Sequence, residues 1–94
     1  MFVVCVTFRI QPETMDAFLP LMLEQAKNSL AREEGCRVFD VCRGVDDPDE
    51  VFLYEVYDDR EACDLHLASA HFRDFDNAVT GYVAEKHVRA FERV

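Results

Sequence analysis

The stretch Leu53–Phe72, LYEVYDDREACDLHLASAHF, decides the fold of this chain. It begins with the alternation of a strand, becomes acidic at two consecutive aspartates, and continues with the spacing of a helix that carries two histidines. Its strand part places Glu55 among aromatic and branched neighbours, where an ordinary core holds an apolar side chain. The stretch therefore predicts a strand, a turn and a helix that bring polar groups toward the interior.

His66 is expected on the side of this helix that faces the sheet. Ala62 and Ser69 are four and three residues from His66 and share that side, and Leu65, at the same spacings from these two residues, is expected there as well. The His66 imidazole and the Glu55 carboxylate then face each other across a partly apolar space, which suits proton transfer. The alternative is structural: a hydrogen-bonded core histidine and a glutamate at a wet sheet edge. The spacing alone leaves both interpretations open.

Hydrophobic periodicity predicts the remaining elements. Strands are expected at 2–10, 36–43, 51–57 and 82–93, and helices at about 13–32 and 60–69, with a short helical piece at 71–79. The segment GVDDPDE between the second and third strands is a turn rich in glycine, aspartate and proline. The order β-α-β-β-α-β predicts a ferredoxin-like α+β fold, in which helices cover one face of an antiparallel sheet.

The first helix carries the strongest local signals. Pro12 and Glu13 are expected to open it, Pro20 to kink it or end its first part, and Gly35 to stop it. Its apolar side is expected to consist of Met15, Leu19, Met22, Ala26 and Leu30.

Composition excludes several classes of function. The 94 residues suffice for one domain, 1–94, and half of them are apolar, which supports a packed core. The net charge of −9 argues against non-specific binding to nucleic acid or anionic membranes. No apolar run approaches the roughly 20 residues that cross a bilayer, and the first residues lack the pattern of a signal peptide. A cytoplasmic protein is therefore expected.

The four cysteines show no spacing typical of a metal site. Free thiols packed as small apolar groups are expected, and no metal is predicted. The first strand is apolar on both faces, too apolar for an open sheet face on a monomer. A homodimer that buries sheet against sheet is therefore expected.

Several segments together resemble antibiotic biosynthesis monooxygenase domains, most closely the small bacterial quinol monooxygenases. They are the first strand with its following Pro12-Glu13, the GCRVFDV strand, the DDPDEVFLYEVY arm and the H-x4-HF helix. The resemblance covers nearly the whole chain. It implies a dimeric α+β barrel with one pocket per subunit, and oxygen chemistry without flavin, haem or metal. The positions that match the family are Phe39, Asp40, Glu55, Tyr57, His66, His71 and Phe72.

The resemblance and the residues together predict a cofactor-free monooxygenase that oxidises a small quinol or phenol with dioxygen. His66 is expected to be the base that removes a proton, with Glu55 orienting it. The expected substrate-binding residues are Phe39, Tyr57, His71 and Phe72, of which His71 also suits a structural role. Two alternatives stay open. One is an isomerase of a small, possibly phosphorylated hydroxy-carbonyl compound, favoured if an arginine points into the pocket; the other is a non-catalytic ligand-binding dimer.

Overall fold

Four antiparallel strands form one sheet, and the helices pack on one of its faces. The computed structural model describes all residues, 1–94. In chain order the elements are β1 (Phe2–Ile10), α1 (Met15–Arg32), β2 (Cys36–Arg43), β3 (Glu50–Tyr57), α2 (Arg60–Ala68), α3 (Ala70–Val79), a 3-10 turn (Thr80–Tyr82) and β4 (Val83–Glu92). The strand order β2-β3-β1-β4 is that of the ferredoxin-like fold. The predicted fold class is therefore confirmed.

The register of the sheet determines which side chains face the helices. Because side chains alternate along a strand, the even-numbered residues of β1 point to the helical side and form much of the core. Val4 pairs with Glu55 on one side and with Ala90 on the other. In the pairing of β2 with β3, Phe39 lies opposite Glu55. A row of side chains from all four strands, which includes Glu55, thus faces the helices.

The other face of the sheet has no helix on it. It carries partly exposed aromatic residues, Phe52, Tyr54 and Phe91, which remain 37–43% accessible. Asp40 lies on this face too, because it pairs with Tyr54 rather than with Glu55. The family-matching position Asp40 therefore points away from the helices.

Helix α1 begins two residues later than the sequence predicts. The backbone of Gln11–Thr14 forms a turn, closed by the Thr14 N–H bonding to the Gln11 carbonyl at 3.2 Å. Pro12 occupies the second position of this turn, and Glu13 takes the third with φ of 70°. The predicted break at Pro20 is not found, since α1 is continuous through it. Pro20 is exposed, so water can hydrate the carbonyl that loses its backbone donor.

Gly35 does not stop α1, which ends three residues earlier at Arg32, but it lets the following loop pack closely against α2. It has no positive φ, so the conformational freedom of glycine is not required. A Cβ at this position would lie 2.5 Å from the Cβ of Ala62 on α2. The missing side chain therefore lets the loop between α1 and β2 approach α2 closely. This loop contains Glu33, which matters for the site described below.

The start of α2 is fixed by two aspartates with different tasks. Asp59 caps the helix, because its Oδ1 accepts a hydrogen bond from the Ala62 N–H at 2.8 Å. Asp58 instead accepts two hydrogen bonds from the Arg37 guanidinium, at 2.6 and 3.1 Å. Only Asp59 therefore caps α2, whereas Asp58 ties α2 to β2.

Candidate active site

A mostly apolar cavity lies between the sheet and the helices. It has a volume of about 210 Å³, and 13 of its 19 lining residues are hydrophobic. A cavity of roughly 150 Å³ accommodates a benzene ring, so this one can hold a small substituted ring. The polar and charged residues of the lining are few: Gln25, Glu55, Arg60, Asp64, His66 and Lys86. Such an apolar space with few polar groups is typical of a site for a small molecule.

His66 is buried in the wall of this cavity, with 3% of its surface exposed. Rings surround it, with centroids 5.1 to 6.1 Å from the imidazole, and they belong to Phe39, Tyr57, His71 and Phe72. On α2 the buried residues are Cys63 and His66, so the predicted inward orientation of the histidine is confirmed. The prediction that Leu65 lies on the same inward side is wrong, because Leu65 is 66% exposed.

The carboxylate that binds His66 is Glu33, not Glu55. His66 Nδ1 lies 3.1 and 2.9 Å from the two carboxylate oxygens of Glu33. The hydrogen bonds of the His66 ring are made by Nδ1 alone, so the other ring nitrogen, Nε2, is left without a partner within the chain, and His66 lines the cavity. Glu55 lines the same cavity but accepts its hydrogen bond from the Tyr57 hydroxyl at 2.6 Å. The structure therefore corrects the predicted Glu55–His66 contact and keeps both residues at one site.

Glu33 reaches His66 because it follows the last residue of α1 with extended backbone, at φ of −109° and ψ of 113°. Its N–H still bonds to the Ser29 carbonyl of the helix at 3.1 Å. The close approach of Gly35 to α2 brings this loop beside the helix of His66. Sequence reasoning missed Glu33, since Glu33 and Glu34 look alike in the sequence and only the direction of the chain at the helix end distinguishes them.

Glu55 is 5% exposed and holds its proton more tightly than an ordinary carboxyl. Burial raises the pKa of Glu55 from 4.5 to about 7, and the Glu33 carboxylate contributes to the rise. The hydrogen bond from Tyr57 and the charge of Lys86 counteract part of this rise. A carboxyl that titrates near neutrality can both donate and accept a proton. Glu55 thus adds a second proton-exchanging group to the cavity.

Tyr57 donates a hydrogen bond to Glu55 from a position outside the cavity lining. It is completely buried and is not part of the cavity lining, in contrast to its predicted place in a substrate-binding wall. Burial and the neighbouring Glu55 raise the pKa of the Tyr57 hydroxyl well above its ordinary value. The hydroxyl therefore stays protonated and remains a hydrogen-bond donor to Glu55.

His71 lies behind His66 and lines an outer groove rather than the cavity. Its Nδ1 is 3.2 Å from Gln25 Oε1, and its Nε2 is 2.8 Å from Glu33 Oε2. The contact between His71 Nε2 and Glu33 Oε2 is short enough for an ion pair, but its angle is not that of a hydrogen bond. His71 Nε2 is therefore buried without a hydrogen-bond partner. The structural role that the sequence suggested for His71 agrees with this position. Of the predicted substrate-binding residues, only Phe39 and Phe72 line the cavity.

Two cationic side chains lie at different places in the cavity lining. Lys86 Nζ is 5.6 Å from the centre of the Phe8 ring and 5.9 Å from that of Phe72. The Arg60 guanidinium lies 5.7 Å from the centre of the Phe2 ring. Because Phe2 and Phe8 are near opposite ends of β1, the two cations do not converge on one point. Lys86 was also missed; it could have been found from the register of β4.

No group of three or more histidine, cysteine, aspartate or glutamate side chains is arranged to hold a metal ion. No helix is long and apolar enough to cross a membrane. All four cysteines carry free thiols, and Cys36 and Cys63 are buried.

The fold and the cavity define a small ferredoxin-like α+β protein with an acid–imidazole site in an apolar pocket. The family model described as antibiotic biosynthesis monooxygenase matches residues 1–78. The chain belongs to this antibiotic biosynthesis monooxygenase family, as the resemblance of its sequence predicts.

Solved structures agree with this assignment. The chain is 26% identical to a "putative antibiotic biosynthesis monooxygenase" from Nitrosomonas europaea, with a TM-score of 0.95 and coverage of 100% of this chain and 99% of that chain. A crystal structure of an antibiotic biosynthesis monooxygenase is 27% identical, with a TM-score of 0.92 and the same coverage. A similarly named protein from Caulobacter crescentus is 22% identical, with a TM-score of 0.95 and coverage of 99% and 89%, and shows the fold alone. No curated protein matches this chain.

Proposed function

We propose that this protein is a cofactor-free monooxygenase that oxidises a small quinol or phenol with dioxygen. The observation that carries the proposal is the environment of His66. Its Nδ1 contacts a carboxylate and makes all the hydrogen bonds of the ring, so its Nε2 has no partner within the chain, and the residue lines an apolar cavity. An imidazole held in this way can accept a proton from a ligand in the cavity. The family of this chain is named for monooxygenation, which makes a phenolic proton the natural one.

The proposed reaction begins when His66 Nε2 takes the proton of a substrate hydroxyl. The resulting anion is electron-rich and passes one electron to dioxygen, which gives a substrate radical and superoxide. Their combination forms a carbon–oxygen bond and a peroxide. Cleavage of the oxygen–oxygen bond leaves one oxygen on the ring as a carbonyl and releases the other as water. The substrate supplies all four electrons and both hydrogens, so no further reductant is needed.

Two features of the cavity support this chemistry. Phe39 and Phe72 line the cavity beside His66, with ring centroids 5.8 and 5.1 Å from the imidazole, and aromatic side chains suit the binding of a flat ring. Glu55 lies in the same cavity with a pKa of about 7, so near neutrality it can protonate the peroxide oxygen that leaves as water. The apolar lining keeps bulk water away from the anion and favours electron transfer to dioxygen over reprotonation.

A second candidate function is isomerisation of a small hydroxy-carbonyl compound. Here His66 would move a proton between adjacent carbons, and no oxygen would be consumed. The observation that favours it is Arg60, whose side chain lines the cavity and can contact an anionic group such as a phosphate. Consumption of oxygen with the true substrate distinguishes the two functions directly.

We further propose that the protein acts as a homodimer in which two copies cover their open sheet faces. The partly exposed Phe52, Tyr54 and Phe91 lie on this face, where a monomer would leave aromatic surface in water. A 94-residue domain buries a smaller share of its surface on folding than a larger domain does, and a second copy adds to the buried surface. Strand β4 is nearly all exposed, although Lys86 and Val88 line the cavity, so a partner at this edge would also limit access to the site.

The function is tested by measuring oxygen uptake of the purified protein with a panel of reduced quinols and polyphenols. His66→Ala is expected to lower turnover on the order of 10²–10⁴-fold while folding and binding the substrate. Because quinols also oxidise spontaneously, the rate without protein is subtracted; Lys27→Ala is the control variant, since Lys27 is exposed on α1 and outside the cavity. A His66→Ala protein with full activity per folded molecule would end the assignment. Turnover of a hydroxy-carbonyl compound without oxygen uptake would favour the isomerase.

A further inference from the structure

We propose that Glu33 is the positioning residue of this site: it fixes the Nδ1–H tautomer of His66 and stabilises the imidazolium that forms during the reaction. This inference rests on the proposed role of His66 as the base. It adds a residue outside the cavity lining, on the loop between α1 and β2, to the machinery of the reaction.

The contact geometry gives the direction of the hydrogen bond. Both Glu33 oxygens lie within 3.1 Å of the same ring nitrogen, His66 Nδ1. A carboxylate only accepts, so Nδ1 must carry the hydrogen. In a neutral imidazole the other nitrogen, Nε2, then has a free lone pair. That lone pair has no partner in the chain, because the ring makes its hydrogen bonds through Nδ1 alone, and His66 lines the cavity. The tautomer that Glu33 selects is therefore the one that can accept a proton from a ligand.

Burial makes this contact strong. The His66 side chain is 4% exposed and the Glu33 side chain 14%, so little water screens the pair. When His66 gains a proton, its positive charge lies next to the Glu33 carboxylate rather than next to an apolar wall. A charge formed in such a place is stabilised more strongly than in water, because the local dielectric constant is low.

His71 and Gln25 hold Glu33 in turn. The two buried polar atoms of the whole chain that lack a hydrogen-bond partner, Gln25 Nε2 and His71 Nε2, both belong to this group. Rotating the Gln25 amide by half a turn places its N–H₂ against His71 Nδ1. His71 then carries its hydrogen on Nε2, which is 2.8 Å from Glu33 Oε2. In this arrangement Gln25 Nε2 gains a partner, and the Glu33 carboxylate lies within ion-pair distance of two histidine rings.

The matched variants are Glu33→Gln, Glu33→Leu and Glu34→Gln. Glutamine at position 33 keeps a hydrogen-bond acceptor but removes the charge, whereas leucine removes both. Glu34→Gln makes the same change of charge one residue away, at an exposed position without a contact to His66. Glu33→Gln is expected to lower kcat more than it changes KM, and Glu33→Leu to lower turnover on the order of 10²-fold or more. Glu34→Gln should behave like the unchanged protein.

A spectroscopic measurement separates this proposal from the proposed function. The probe is 4-nitrophenol, whose phenol and phenolate forms absorb at different wavelengths, titrated without any turnover. The unchanged protein and Glu34→Gln should bind it as phenolate below the pH at which free 4-nitrophenol ionises; Glu33→Gln and His66→Ala should bind it as the neutral phenol. If the His66→Ala protein binds the probe as phenolate, the assignment of His66 as the base is refuted. Phenolate lost in His66→Ala but kept in both Glu33 variants would overturn only the role of Glu33.

Nitrogen-15 NMR of the free protein decides the question even if the probe does not bind. The two tautomers of a histidine ring have distinct nitrogen shifts, so the position of the His66 hydrogen can be read directly. It should be on Nδ1 in the unchanged protein and in Glu33→Gln, and should shift at least partly to Nε2 in Glu33→Leu. An unchanged tautomer in Glu33→Leu, or hydrogen on Nε2 in the unchanged protein, would overturn the proposal.

Discussion

Replacing Glu55 with glutamine should change how the stability of the protein depends on pH. Burial holds the pKa of Glu55 at about 7 in the folded state, compared with 4.5 for an ordinary glutamate. Between these values the folded state binds more protons than the unfolded state, so the free energy of unfolding falls as pH rises. The contribution of Glu55 is fully present at about pH 4.5 and below, and is lost by about pH 7. Glutamine does not titrate and avoids this loss.

The expected size follows from the difference in pKa. A rise from 4.5 to about 7 is about 2.5 pH units, which corresponds to about 3 kcal/mol at 1.36 kcal/mol per unit. Glu55→Gln should therefore be about as stable as the unchanged protein near pH 5, and more stable by up to about 3 kcal/mol at pH 8. Glutamine keeps an oxygen that can accept the hydrogen bond from Tyr57, so this contact is retained in kind.

The assay is urea unfolding at a series of pH values between 5 and 8.5, followed by circular dichroism. The informative quantity is the difference in unfolding free energy between Glu55→Gln and the unchanged protein, because the titration of other groups cancels in it. Glu24→Gln, at an exposed position of α1, is the matched control and should give a flat difference. A flat difference for Glu55→Gln would refute the reasoning, since it would mean that Glu55 is ionised at no cost in the folded protein.

Three further predictions concern the loop, the thiols and the oligomer. Gly35→Ala should destabilise the protein by ~1–3 kcal/mol, because the added Cβ would collide with Ala62; Ala62→Gly in the same protein should restore part of the loss, and no recovery would contradict the steric cause. Iodoacetamide should label Cys36 and Cys63 more slowly in the folded protein than in urea, since burial raises the pKa of Cys36 to about 12 and of Cys63 to about 11; equal rates for these two thiols in the folded and unfolded protein would count against this. Light scattering at micromolar concentration should give about twice the 10.9 kDa chain mass, and a stable monomer would exclude the proposed dimer.

The sequence predicts the strands well because their signals are local. Alternating side chains and the turn between β2 and β3 depend on neighbours along the chain, and β1 and β2 have the predicted bounds. The sides of the helices were harder to predict. On α1, Gln25 and Ser29 are buried, whereas the predicted core residue Leu30 is 46% exposed. Whether a polar residue of a helix is buried depends on the side chains that pack against it from other elements. The hydrophobic periodicity of the helix does not contain that information.

The candidate site shows the same difference between residues with a local sequence signal and residues placed by non-local contacts. His66 and Glu55 were found because each is a polar residue at a position where the pattern predicts an apolar one. Glu33 was not found, because a glutamate at the end of a helix is ordinary in sequence. Its role comes from a non-local contact: Gly35 lets the loop approach α2, and the loop then places Glu33 beside His66. A sequence can thus predict the unusual members of a site, but not an ordinary residue that the fold brings to them.

The distribution of buried polar groups argues that the cavity is there for function. The fully buried polar residues of the chain are Gln25, Ser29, Glu55 and His66. Ser29 is satisfied within its own helix, since its hydroxyl donates to the Gln25 carbonyl at 2.9 Å. The other three all line the cavity. Burying such groups costs free energy, and a domain of this size has little to spare. A purely structural core would replace Glu55 with an apolar residue and gain stability above pH 7. That the chain concentrates its costly residues around one apolar space, with an imidazole and a carboxyl facing into it, is what a proton-transfer site requires.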